Sequence, residues 1–473
     1  MRTLLLGFIL LSACSSKIFS QDSTFYYSLG ISGAASTSKI PFWMHANQFG
    51  TVPQEGSFGL AKAAFYKIYN PNNPRFFQWT AGAELIASAG RKSDLFFSDL
   101  FIGGSAGPFE LSVGQRKEYM GLSDSLLSVG GVAMSPNFRP YPKVEIRTRR
   151  FVKLLPFSDI LSFRFSYSDG ILGAANVHFG NVRRVEQTYL HQKSFYIKLG
   201  GKKHRLNFFA GFNHQAMWGG EDKIFTGGLQ PKEAYGYVVF GKPWAASRVG
   251  NHFGTIDVAA EWKGNNWTYL LYRQSIYEDG SLINLSNLAD GLNGLRFKRN
   301  SSGAPERGFH MNTILLEYMY TKNQGGEVFD FTTGTYGRDN YFNHYVYGQG
   351  WSYRGRSFGT PFIPSQSMVR KELRNNAALF TPNNRLLAYH GAISASFNDI
   401  FFNVKGSYSQ NFGTYNTPFS RTIKQTSLLL DISSPIFATK SNRLAIMLAA
   451  DFGELFPKSA AVLLGWRKSG FIR

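Results

Sequence analysis

The chain has 473 residues, of which 43% are apolar and 16% aromatic, with 49 glycines and a single cysteine. Its 51 lysines and arginines against 30 acidic residues give a net charge of +21, which favours an acidic partner such as polysaccharide, lipopolysaccharide phosphate or an anionic solute. Beyond the first twenty residues no stretch has the length and apolarity of a membrane helix.

Met1 to Ser20 reads as an export signal: Arg2 gives the positive start, Leu4 to Ala13 is a short apolar run, and Ile18-Phe19-Ser20 precedes a cleavage point before Gln21. Leu11-Ser12-Ala13-Cys14 also fits a lipoprotein box, in which Cys14 would become the acylated first residue. With cleavage after Ser20 the mature chain has no cysteine, which excludes disulfides, thiol catalysis and cysteine-ligated zinc. Export argues against nucleic acid as a partner. No linker divides residues 21–473, so one domain is expected there.

In chain order, Phe25 to Ser36 is a Gly/Ser-rich strand candidate, followed by a dense aromatic and polar segment, Pro41 to Gly50. Phe58 to Tyr69 and Phe76 to Ala89 read as a hairpin across Asn70-Pro71-Asn72-Asn73-Pro74. Leu95 to Gly103 and Phe109 to Gly114 form another. The clearest ribbon is Leu161 to Ser168: Leu161, Phe163, Phe165 and Tyr167 alternate with Ser162, Arg164, Ser166 and Ser168. A period of two with an arginine on the polar face fits a half-exposed sheet in water, or a barrel wall between lipid and an aqueous lumen. Repetition of such aromatic, two-faced strands favours the barrel.

Gly114 to Ile146 is the most distinctive stretch. Arg139-Pro140-Tyr141-Pro142 cannot lie inside a central strand, because both prolines lack an N–H donor. Ser135 to Pro142 (SPNFRPYP), Pro41 to Pro53 (PFWMHANQFGTVP) and Asn213 to Gly220 (NHQAMWGG) together resemble the outer-membrane capsule assembly proteins of the Wzi type. The resemblance covers most of the mature chain. It implies an all-β fold, a transmembrane antiparallel β-barrel of about 18 strands with long loops, which helps hold capsular polysaccharide on the cell surface. Outer-membrane lipids, lipopolysaccharide and the capsule export machinery are the partners such a protein would meet.

Further strands are expected at Ser194 to Leu199, Leu206 to Asn213, Tyr235 to Phe240, Phe253 to Lys263, Trp267 to Ile276 and Phe309 to Tyr320. Asp169 to His191, Gln215 to Ala234, Glu278 to Gly308 and Thr321 to Asn384 read as long connections. Leu386 to Phe397, Phe401 to Gln410, Thr422 to Ser433, Leu444 to Phe452 and Ala460 to Trp466 complete the set. In a barrel, short turns and long loops alternate between the two ends. Between Gln215 and Gly308 that alternation fails by one strand. The terminal Gly470-Phe471-Ile472-Arg473 also departs from the aromatic C-terminus common in such barrels.

Chemistry points to binding. Serine, histidine and aspartate are present without a G-x-S-x-G elbow, and Glu221-Asp222 and Glu278-Asp279 are adjacent pairs whose side chains diverge on a strand. His214 with Glu221 and Asp222 matches no metal motif, and the glycine-rich loops lack a phosphate-binding consensus. No cofactor, metal or enzyme activity is expected. Sugar recognition needs flat aromatic faces beside planar polar groups. Trp351, Tyr353, Arg354 and Arg356 supply both in one loop; Trp218 is a second candidate, and Arg139 with Tyr141 a third. The competing roles for these residues are an interfacial girdle and loop packing in the lumen. The expectation is a non-enzymatic lectin-like barrel for capsular or other acidic polysaccharide, with a porin-like channel for anionic solutes and an outer-membrane hydrolase as alternatives.

Overall fold

The computed structural model describes residues 24–472 except 73, 245–246, 279–285, 301–306, 331–334, 376 and 437–438. The export signal Met1 to Ser20 and Cys14 lie outside the described residues. Among the described residues, eighteen antiparallel strands close into one barrel. They are β1 (Phe25–Ser36), β2 (Phe58–Lys67), β3 (Phe77–Gly90), β4 (Asp94–Ala106), β5 (Phe109–Gln115) and β6 (Lys143–Thr148, resumed at Val152–Leu155). Next come β7 (Ser158–Asn176), β8 (Arg184–Leu199), β9 (Leu206–Trp218), β10 (Asn251–Lys263), β11 (Trp267–Glu278) and β12 (Gly291–Arg299). The wall ends with β13 (Phe309–Tyr320), β14 (Leu386–Phe397), β15 (Ile400–Gly413), β16 (Pro418–Ile436), β17 (Thr439–Gly453) and β18 (Ser459–Phe471). β18 pairs with β1 from Tyr26 opposite Phe471 to Ser36 opposite Ala461, so the ladder has no free edge.

The alternation at Leu161 to Ser168 is a wall pattern. The Arg164 guanidinium lies in the lumen, 4.7 Å from the Tyr196 ring, and donates to the Gly121 carbonyl at 3.1 Å. Phe163 lies on the outer face, stacked with Phe195. Leu29, Ile31, Leu100, Ile102, Leu111, Val113, Leu271, Leu316, Leu448 and Leu464 are likewise exposed on the outside, an apolar belt that only lipid would solvate. Two wall glycines give way to tyrosines: a Cβ at Gly211 or Gly294 would come within 2.1 Å of the Tyr196 or Tyr272 ring.

Three local differences restore the alternation of turns and loops. Lys143–Thr148 is a strand where the sequence suggested none, Gly291–Arg299 is a strand inside a stretch that read as a long connection, and Tyr235 to Phe240 is the end of a helix rather than a strand. That helix is α3 (Pro231–Phe240); two shorter helices precede it, α1 (Phe42–His45) and α2 (Glu221–Ile224). Pro231 starts α3 at a position where no N–H is needed, and Gly241, at φ 60°, ends it by donating to the Tyr237 and Val238 carbonyls. Asp169 to His191, expected as a loop, is mostly wall: β7 runs on to Asn176 and β8 begins at Arg184. The last strand runs to Phe471, whose ring packs edge-on against Tyr26, so an aromatic does close the barrel.

One end of the barrel carries short turns and the first and last described residues, the other the long loops 37–57, 116–142, 219–250 and 321–385. Three of these fold inward and build an apolar core in the loop-side half of the lumen, around Phe42, Trp43, Val132, Phe342, Trp351, Phe358 and Phe362. Each large side chain so buried contributes roughly 1.5–3 kcal/mol. Wall side chains tie this plug down. Asp451 accepts from the Phe42 N–H at 2.9 Å, Gln274 from the Val132 N–H at 3.1 Å, and Ser407 from the Trp43 indole at 3.0 Å.

Candidate functional site

The seven aromatic and arginine residues expected to meet sugar fall into three settings. Trp351 is in the plug core: fully buried between Phe253 and Phe358, its indole N–H donates to the Ala133 carbonyl at 2.8 Å. Arg356 is also buried, donating to the His45 and Val52 carbonyls at 3.4 and 2.5 Å. Tyr141 is buried with its hydroxyl on Gln192. In this arrangement Trp351 and Tyr141 pack the plug and turn no open ring face to solvent.

Trp218 is elsewhere. It points outward from β9 and is covered by the 219–250 loop, which folds back over the outer wall with α3 against Ala216 and Trp218. Tyr189 and Tyr235 sandwich the indole at 4.9 and 5.7 Å. The neighbouring Glu221 accepts from the Gly219 N–H and the Tyr347 hydroxyl, both at 2.9 Å, and so holds loops together. His214 faces His252 across 2.9 Å on the same outer wall. No group of three histidine, cysteine or acidic side chains able to hold a metal occurs among the described residues.

Tyr353, Arg354 and Arg139 do share a surface. Ser352–Tyr353 and Arg356–Ser357 form a two-stranded hairpin whose tip is Arg354-Gly355. Arg354 takes φ 49° and Gly355 φ 76°, the left-handed pair that such a tight turn requires. This lifts Arg354 into solvent, while Tyr353 stays half-buried, edge-on to Tyr141 at 6.0 Å. Next to it, Arg139 pairs with Asp94 at 2.6 Å and lies 3.3 Å from the centre of the Phe96 ring. The adjoining three-residue turn brings Arg91 and Lys92, both exposed. Sequence reading missed Arg91, Lys92, Asp94 and Phe96. Their only local signal was a basic pair in a turn, and nothing short-range joins them to a hairpin some 260 residues later.

The result is a surface of four cations, Arg91, Lys92, Arg139 and Arg354, with two carboxylates beside them, Asp94 on Arg139 and the part-exposed Glu55 3.7 Å from Arg91, and with Tyr353 as a flat rim. Below the plug, a chamber of about 810 Å3 lies within the turn-side half of the lumen, with Lys62, Glu84, Asp431, Arg443 and Arg467 on its wall and Met44 and Val52 at its roof.

A closed 18-stranded antiparallel barrel with an apolar outer belt defines a transmembrane β-barrel of the outer-membrane class. Among solved structures it is similar to Wzi of Escherichia coli, an outer membrane protein involved in group 1 capsule assembly and described as a carbohydrate-binding β-barrel, with a TM-score of 0.60 and 13% identity over 95% of this chain and 85% of the other. OccD3 of Pseudomonas aeruginosa aligns with 96% of this chain and 92% of its own at a TM-score of 0.49 and 8% identity. OccAB4 of Acinetobacter baumannii aligns with 96% and 99% at 0.47 and 10%. No protein-family model and no curated protein matches the chain. The likeness to Wzi that the sequence patches carried is thus present in the fold.

Proposed function

We propose that this protein is a non-enzymatic outer-membrane barrel that retains acidic polysaccharide at the cell surface through its loop face. The observation that carries the reading is the patch in which exposed Arg91, Lys92 and Arg354 join half-buried Arg139 and Tyr353, above a lumen whose loop-side half is filled by the protein's own loops. Cations displayed on a rigid support attract a polyanion, and tyrosine adds a face for sugar C–H groups. The description of Wzi as carbohydrate-binding supports the same reading.

The test is surface-polysaccharide retention in a deletion strain, with cell-bound and shed polymer quantified separately. Continued synthesis with polymer in the medium is the expected result. Unchanged retention overturns the reading.

A further inference from the structure

The chamber below the plug has a volume of about 810 Å3, within the range of small-molecule sites, about 300–1,000 Å3. Met44, Gln48 and Val52 of the plug roof it, and its wall reaches Tyr26 and Phe401 beside the short turns. In an outer-membrane barrel the short turns face the periplasm. The chamber is therefore a vestibule entered from that side and closed above, so a polymer cannot thread it.

Strand register gives its wall a line of positive charge. Arg443 on β17 is directly opposite Arg467 on β18; Arg467 is opposite Gly30 on β1, and Gly30 is opposite Lys62 on β2. Residues so placed share a face, and like charges directly opposite one another repel. Gly30, without a side chain, leaves its place in the line open. Arg443 is held by Ser433 Oγ at 2.9 Å and by the Ser433 and Asp399 carbonyls, and Lys62 Nζ donates to Thr51 Oγ1 of the plug at 3.2 Å. Arg467 makes no hydrogen bond or ion pair among the described residues. Of the acids on the wall, Glu84 is taken by Lys117 and the Tyr66 hydroxyl. That leaves Asp431, which accepts from Asn403 at 3.3 Å, against three cations. Arg467 bears electrostatically on Lys62, Arg443 and Asp431, so the line acts as one cluster.

We propose that the chamber is a periplasm-facing binding site for a small organic anion carrying two or more oxyanion groups. One group is held between the guanidinium groups of Arg443 and Arg467, whose planar forks suit an oxyanion. A second is held by Lys62, whose strand is two away from that of Arg467, about 10 Å across the sheet. Two separated points of charge under the apolar side chains of Met44, Val52 and Met447 favour an organic body over a lone inorganic ion. The site is distinct from the loop face and does not rest on the polysaccharide reading.

The test is calorimetric titration of tricarballylate, a flexible tricarboxylate, into the purified full-length protein in detergent at low salt. One saturable binding event is expected, at least ten-fold weaker for acetate. Because Arg467 holds nothing else in place, Arg467→Gln should keep the barrel and plug intact and weaken tricarballylate at least ten-fold. Ala445→Phe keeps every charge but projects a ring into the chamber between Arg443 and Met447, and should abolish binding. If the phenylalanine variant fails to fold, Arg467→Gln still decides. A wild-type protein without saturable binding, an Arg467→Gln protein that binds as the wild type does, or acetate equal to tricarballylate overturns the site.

Discussion

The Glu317 carboxylate on β13 accepts a hydrogen bond from the backbone N–H of Val129 at 2.7 Å, joining the barrel wall to the buried 116–142 loop of the plug. Its other oxygen accepts from Ser128 Oγ at 2.6 Å and from the Tyr272 hydroxyl. A lumen-facing acid in a wall strand thus serves the backbone of an inserted loop, whose N–H groups have no sheet to pair with.

Glu317→Ala should loosen the plug while the ladder persists. It strands three buried donors, each at a cost of about 1–3 kcal/mol. Planar-bilayer recording is the check: the wild type should conduct little, and the variant should show larger and noisier openings with unchanged barrel yield. A variant as silent as the wild type would mean that the plug does not depend on this anchor.

Trp351 and Arg354 should separate stability from binding although only three residues apart. Trp351→Ala removes a fully buried indole, which in a packed core costs about 3–5 kcal/mol, so plug protection against proteolysis should fall. Arg354→Ala takes away a solvent-exposed cation and should leave melting unchanged, while weakening acidic-polysaccharide affinity several-fold, more so at low salt. Equal affinity for wild type and Arg354→Ala would remove the hairpin tip from the binding surface.

The barrel was legible because its wall obeys a period of two, as at Leu161 to Ser168, and the lipid face demands large apolar residues at every second position. Where that demand lapses, the signal lapses too. β12 puts Asn293 on the outer face and buries Leu292 on the lumen side, which breaks the alternation, and β6 sits behind the prolines at 140 and 142. Tyr235 to Phe240 shows the reverse case: its aromatic and β-branched residues favour a strand locally, but Pro231 and Gly241 frame a helix. The site was half legible. Tyr353, Arg354 and Arg139 meet on one surface, whereas Trp351 and Trp218 answer to packing. An aromatic residue in a loop looks the same in sequence whether it faces sugar or a plug core, and only long-range contact decides.

Helix α3 is pinned to the outer wall by polar groups that would otherwise face lipid. The Tyr235 hydroxyl donates to Asp169 at 2.7 Å and lies 2.6 Å from the Tyr167 hydroxyl, and Asp169 also contacts His191 at 2.9 Å. Tyr235→Phe removes the donor to the carboxylate, at about 1–2 kcal/mol. Amide exchange should rise across residues 229–241 and stay constant in β7 and β8. Unchanged exchange would show that apolar packing alone holds the helix.

The loop around His344 should weaken in acid. Its Nδ1 accepts the backbone N–H groups of Val346 and Tyr347, both at 3.2 Å, which only the unprotonated nitrogen can do. Burial, followed by the nearby His252, pushes its pKa down from 6.5 to about 3. The unfolded loop therefore takes up a proton below about pH 6.5, while the folded loop stays neutral until about pH 3. Stability from this group is complete above pH 6.5 and declines steadily as pH falls toward 3. Exchange across residues 340–350, corrected for its intrinsic pH dependence, should therefore increase between pH 7.5 and 5. His344→Asn keeps a side-chain acceptor within reach of the same turn but cannot titrate in this range, so its exchange should be flat over that interval. A sloping profile in the asparagine variant would assign the acid response to another group.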